Sequence, residues 1–221
     1  MAELISEAET ATSITFEELA DLARDYSDLS REVIFLIKQL EIDPDNIQSR
    51  YRLASRLTHP MEEYDAALDV LEPLLEPGPA PLAVLQLTDR ILTQQSKMEA
   101  LSSLYLSQIE ASSSDRYKRR LLVRLADMAD FLDNSDRDWR AWALEAAVRL
   151  DPQIDAVEAS SEIIPVNEMR KLPSTNEIRQ RLARHFEETL DWQACAEQLH
   201  ILASQEKQKE NTLYVDTLRK L

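Results

Sequence analysis

Apolar residues recur at i, i+3, i+4 and i+7 along almost the whole chain, and alternating β-branched stretches are few. That periodicity predicts amphipathic helices of about 12–16 residues joined by short turns, and no sheet. Punctuation between the apolar stripes marks the ends. Thr15, three residues before Glu18, forms the sequence pattern of a capping box; "DPDN" at 43–46 stops one helix and starts another; "EPGPAP" at 76–81 is a turn. Pro73 falls inside the helix that the pattern predicts over "YDAALDVLEPLLEP", where it removes one backbone bond and favours a kink.

The prolines that close helices carry a second period. Pro44, Pro79 and Pro152 are separated by 35 and then 73 residues, close to one and two copies of a helix–turn–helix unit. Within each unit a small residue recurs between larger ones. Leu53, Ala54 and Leu57 are followed by Ala67 and Leu71; Leu87, Thr88 and Ile91 by Ala100 and Leu104. Leu125, Ala126 and Ala129 are followed by Leu144 and Ala147; Leu182, Ala183 and Phe186 by Trp192, Cys195 and Leu199. A shorter first copy holds Leu22, Ala23 and Tyr26. A small side chain at each crossing lets two helices approach, and one pair alone cannot bury its apolar face, so the pairs must stack.

On these residues the chain resembles the tetratricopeptide repeat family over roughly residues 20–207. The resemblance implies an all-α solenoid of antiparallel helix pairs, about 10–12 helices in a superhelix. The expected organisation is an acidic tail over 1–14 and a single repeat domain over 15–221. Residues 153–176, with Pro165 and Pro173, fit no copy and read as an irregular insert, and 211–221 reads as one further helix.

Composition narrows the function. Gly78 is the only glycine, which argues against phosphate-cradling loops, nucleophile elbows and dinucleotide folds, all of which use backbone at positive φ or in close contact with ligand. The net charge is −16, and residues 1–46 hold 12 acidic and 3 basic side chains. Such a chain repels phosphodiester backbones and acidic membranes and favours basic or apolar protein partners. No apolar run approaches the length of a membrane span and the first residues are acidic rather than signal-like, so a cytoplasmic protein is expected. Cys195 is the sole cysteine, so no internal disulfide can form.

Candidate chemistry is sparse. His185 and Cys195 lie ten residues apart on different predicted helices with no third group to orient them, and His59, His185, His200 and Cys195 lack ligand spacing. Cys195 takes a small-residue position and reads as a buried thiol, and His185 as partly exposed. "DMADFLDNSDRD" at 127–138 has the acidity of a calcium loop without its glycine or terminal glutamate. No catalytic residue, metal site or cofactor is expected, and the chain is read as a non-enzymatic adaptor or assembly factor.

The resemblance implies that helix A residues line a concave groove. Position by position these are Tyr51, Ser55 and Thr58; Leu85, Asp89 and Leu92; Val123, Asp127 and Asp130; and Gln180, Arg184 and Glu187. An apolar strip with acidic flanks would take a basic amphipathic segment of another protein. The family's carboxylate clamp needs lysine and asparagine at these positions, which are absent. Two other readings stay open: a regulatory or targeting subunit of a larger complex, and nucleic-acid binding through "RYKRRLLVR" at 116–124, which the net charge opposes. The terminal helix could also pair with a second copy.

Overall fold

A computed structural model describes residues 16–76, 78–132, 138–150 and 173–219. All regular structure there is helical. The elements are α1 (16–25), α2 (Leu29–Ile42), α3 (Ile47–Thr58), α4 (Tyr64–Leu75), α5 (Leu82–Gln94), α6 (Met98–Ala111), α7 (Asp115–Met128), a 3-10 turn (Ala129–Phe131), α8 (Trp139–Arg149), α9 (Thr175–Glu188) and α10 (Trp192–Arg219). Neighbouring helices pack as α2–α3, α3–α4 and α4–α5, then α6–α7, α7–α8, α8–α9 and α9–α10. The chain divides into two compact units, with the boundary between helices falling at Lys97–Met98.

Turn chemistry explains how so glycine-poor a chain reverses direction. After α1, α5 and α9 the chain places Ser27, Ser96 and Leu190 at φ 56°, 57° and 61°, the left-handed region. The next amide in each turn reaches back across the helix end: Asp28 to the Ala23 carbonyl, Lys97 to Leu92 and Asp191 to Phe186, at 2.8–2.9 Å. Each left-handed residue bonds a carbonyl three back, which completes the Schellman pattern. Asp28 and Asp191 then cap the following helix, accepting from the amides of Arg31 and Ala194. Scarce glycine therefore does not mean scarce positive φ, and the only glycine, Gly78, is not at positive φ.

In the first unit the core gathers around Ala54, Ala67, Leu71, Ala83, Val84, Leu87 and Ile91, with Ala20, Val33, Leu36 and Leu53 forming a second group. An ion network joins its first three helices. Glu32 of α2 is buried between Arg52 (3.3 Å) and Arg56 (2.9 Å) of α3, and Arg52 also meets Asp21 of α1 at 2.9 Å. Asp65, at the start of α4, accepts from Gln95 (2.9 Å) and Lys97 (3.3 Å) beyond the end of α5. The Gln95 amide, and then the Lys97 ammonium, hold its carboxyl below the usual range. The first repeat departs from expectation. Ala23 is buried, but Leu22 and Tyr26 are exposed, as are Ile34 and Ile37 of α2.

In the second unit Leu125, Ala126, Ala129, Leu144, Ala147, Leu182, Ala183 and Phe186 are all buried, as the small-and-large register requires. In α6 the register shifts by one residue. Leu101, Ser102 and Tyr105 are buried, and Ala100 is exposed. Arg119 of α7 is the largest fully buried side chain, at 0% exposure. Its guanidinium donates to the Leu150 carbonyl (3.2 Å), the Pro173 carbonyl (3.1 Å) and Thr175 Oγ1 (3.1 Å). One buried fork thus ties the residue that follows α8 to those that open α9. Ser174 closes a full capping box with Glu177, so α9 begins inside the region that the sequence assigns to an insert.

Packing of α8 on α9 carries a second polar contact. Asp138, the N-cap of α8, accepts from the Ala141 amide at 3.0 Å and meets His185 Nε2 of α9 at 2.7 Å. Burial pushes the Asp138 carboxyl up, but the Ala141 amide, the His185 ring and the Arg140 amide outweigh it and hold the group below its ordinary value. His185 is buried rather than partly exposed, because it turns into this contact. The helix expected at 211–221 is not separate: α10 runs unbroken to Arg219. The tail over 1–14, Thr15 and residues 151–172 of the insert lie outside the described residues.

Three outcomes follow from these contacts. Ser96→Gly relieves a left-handed serine and should raise stability by about 0.5–1 kcal/mol in urea unfolding, after the larger entropy of an unfolded glycine is deducted. Arg119→Met strands the Leu150 and Pro173 carbonyls and should cost about 3 kcal/mol, while Arg119→Lys, without the planar fork, should recover only part. Because the folded Asp138 carboxyl titrates below its unfolded value of about 3.9, its contribution is full at neutral pH and fades as pH falls through the folded value. Asp138→Asn, which keeps the cap, should therefore unfold more easily than the parent at pH 7, with the gap closing in acid.

Candidate partner-docking site

Helix A residues of the expected groove divide by burial. In the first unit Thr58, Leu85 and Leu92 are buried, Leu85 to 1% exposure, while Tyr51, Ser55 and Asp89 are half-buried. The Thr58 hydroxyl donates to the Ala54 carbonyl and the Ser55 hydroxyl to Tyr51, each at 2.8 Å. Asp89 accepts from Thr93 at 2.9 Å. In the second unit Val123 is buried and Asp127, Asp130 and Arg184 are exposed. The apolar strip is therefore mostly core. Helix α5 is buried on nearly every side, so assigning one face to a partner fails there.

The acidic flank is engaged from within. Asp127 pairs with Arg181 of α9, and Asp130 pairs with Arg140 of α8 at 2.6 Å, the latter also 4.0 Å from Glu188. A basic partner would have to displace these arginines, which removes most of the electrostatic gain. The basic stretch 116–124 fares similarly. Arg119 lies in the core with both terminal nitrogens donating to Leu150, Pro173 and Thr175, and Arg116, Arg120 and Arg124 are half-buried and also engaged, so no clear basic face remains.

What the second unit does offer is a cleft between α9 and α10. A cavity of about 320 Å³ is lined by Ala183, Arg184 and Glu187 of α9 and by Trp192, Cys195, Ala196 and Leu199 of α10. Trp192 is 61% exposed and Leu199 53%, and Leu190 on the turn is more exposed still. Small residues open the space. Ala183 at the helix crossing and Ala196 beyond it leave room that the flanking Trp192 and Leu199 do not fill. The charged Arg184 and Glu187 border the apolar wall, the arrangement of an apolar pocket with a polar rim. Of the groove residues expected from sequence, Arg184 and Glu187 are brought here and the remainder are not.

Sequence reasoning placed Trp192 and Leu199 in the repeat packing and so missed them as surface. The signal was positional. Asp138–Trp139 opens α8 and Asp191–Trp192 opens α10, with the same cap contact three residues on. Helix α8 lies between α7 and α9, and Trp139 and Trp142 are half-buried against each other, ring centres 5.7 Å apart and edge to face. Helix α10 has α9 beside it and no later helix among the described residues.

Cys195 is 8% exposed, as a packing role requires, and His185 is turned to Asp138. No cluster of three or more histidine, cysteine, aspartate or glutamate side chains able to hold a metal occurs among the described residues. None of the helices there is long and apolar enough to cross a membrane.

No protein-family model matches the chain, and no curated protein sequence matches it. Solved structures do. MamA from Desulfovibrio magneticus RS-1, residues 41 to the end, is similar at 14% identity and a TM-score of 0.50, covering 89% of this chain and 96% of that one. The MamA RS-1 ArsTM double mutant is similar at 14% identity and a TM-score of 0.51, covering 90% and 97%. At this identity the likeness is one of fold, and together with the helix pairs it gives an all-α, tetratricopeptide-like helical-repeat architecture.

Proposed function

We propose that this chain is a non-enzymatic protein-interaction module, an adaptor or assembly factor, and that its recognition surface is the α9–α10 cleft. The observation that carries this reading is an exposed tryptophan and leucine on either side of a cavity of about 320 Å³ whose rim holds Arg184 and Glu187. Aromatic and arginine side chains dominate the energetics of protein interfaces, and a pocket between helices suits one apolar anchor from a partner helix. Arg184 and Glu187 then select the charges that flank that anchor.

The acid-flanked groove of helix A residues is the competing surface, and one capture experiment separates the two. Tagged full-length chain from the native host, read by mass spectrometry, is compared with a Trp192→Ala/Leu199→Ser variant and with an Asp89→Lys/Asp127→Lys/Asp130→Lys variant. The first should lose its specific partners by more than about tenfold with unchanged helical circular dichroism, and the second should keep them. Loss of the partners in the second variant alone would move recognition to the helix A groove and overturn the cleft.

A further inference from the structure

Helix α9 covers the α7–α8 pair, and the α9–α10 pair repeats the surface it covers. In α9, Ile178, Arg181, Leu182 and His185 stand at i, i+3, i+4 and i+7, one stripe along the helix. Ile178 and Leu182 are at most 1% exposed, Arg181 pairs with Asp127 of α7, and His185 meets Asp138, the N-cap of α8, at 2.7 Å. Those four residues show what a helix needs to lie across such a pair: two apolar side chains in the seam and a polar contact to each helix below.

The last pair offers the same seat with its charges changed. "DWRAWA" at 138–143 opens α8 and "DWQACA" at 191–196 opens α10, and "LADMAD" at 125–130 of α7 takes the place of "LARHFE" at 182–187 of α9. Ala143, wholly buried under the covering helix, corresponds to Ala196, which is exposed in the cleft. Asp127 corresponds to Arg184, so the sign at that point is reversed. Asp138 corresponds to Asp191, whose Oδ1 accepts from the Ala194 amide and which has no histidine opposite it among the described residues. Asp130 pairs with Arg140, but their counterparts are Glu187 and Gln193, so Glu187 meets no cation among the described residues.

We propose that the α9–α10 cleft seats a helix of a partner protein whose stripe repeats that of α9 with its charges reset to this surface. The partner helix carries an acid at the Arg181 position, facing Arg184, and a base four residues on, facing Asp191. A second base three residues further on, where α9 has Glu188 at 4.0 Å from Arg140, faces Glu187. Apolar residues three before and one after the acid enter the seam beside Trp192 and Leu199. The inference rests on the cleft being the docking surface and names the chemistry of its occupant. An acid four residues before a base also supports the partner's own helix.

Fluorescence anisotropy on the full chain tests it with two labelled peptides: residues 174–189 as they stand, and the same peptide with Arg181→Glu, His185→Lys and Glu188→Lys. The changed peptide should bind about tenfold more tightly or better, because the unchanged one sets Arg181 against Arg184 and Glu188 against Glu187. An Arg184→Glu/Glu187→Lys chain, altered at two exposed positions, should reverse that preference, since Arg181 again meets an acid as it does in Asp127. Trp192→Ala/Leu199→Ser should bind neither peptide. Equal binding of the two, binding of neither, or an unreversed preference in a chain with unchanged helical circular dichroism would overturn the charge pattern. If host proteins are nevertheless lost on Trp192→Ala/Leu199→Ser, the cleft remains the recognition surface with a different occupant, a second copy included; if capture does not respond either, both readings fall.

Discussion

Close approach of helices at small residues is the constraint on which the fold depends. Ala54 and Ala67 in the first unit, and Ala126, Ala147 and Ala183 in the second, are almost wholly removed from solvent at helix contacts. Bulkier side chains there would hold the helices apart and leave the surrounding leucines unpacked. The same close approach limits what polar groups can do. A buried group in such a seam must find its partner in the neighbouring helix, as Glu32 does in Arg52 and Arg56, and as Arg119 does in the backbone on both sides of the insert.

Electrostatics then decides by elimination what the surface can recognise. An acidic chain suggests a basic partner, yet the acids best placed for one are engaged internally: Asp127 by Arg181, Asp130 by Arg140 and Asp138 by His185. The basic run on α7 is likewise drawn inward. Exposed apolar area is left to supply specificity, and in the second unit it concentrates beside α9, where Trp192 and Leu199 border a cavity. Leu190 adds to it from a left-handed turn position that glycine would occupy at less cost, so a bulky apolar side chain is kept there against the backbone's preference.

Much of the architecture was legible in the residues. Helical spacing, the prolines after each unit and the recurring small positions gave the all-α repeat class and most of the helix ends, because these depend on local chemistry and a fixed period. Cys195 as a buried packing residue followed from the same register. The candidate site was far less legible. Thr58, Leu85, Leu92 and Val123 read as groove and are buried, whereas Trp192 and Leu199 read as packing and are exposed. Identical helix faces differ in what lies against them, and a repeat register assigns every copy the same neighbours.

By itself, then, the sequence determined helices, their pairing and the small residues at their crossings, since each follows from side-chain size and spacing along one or two adjacent elements. Only the tertiary structure decided which carboxylates are already paired, that Arg119 bridges backbone on both sides of the insert, that α10 is one helix rather than two, and which apolar stripe stays uncovered. Those outcomes depend on residues 10 to 56 positions apart meeting across helices, and on whether a further helix lies alongside, neither of which a local pattern encodes.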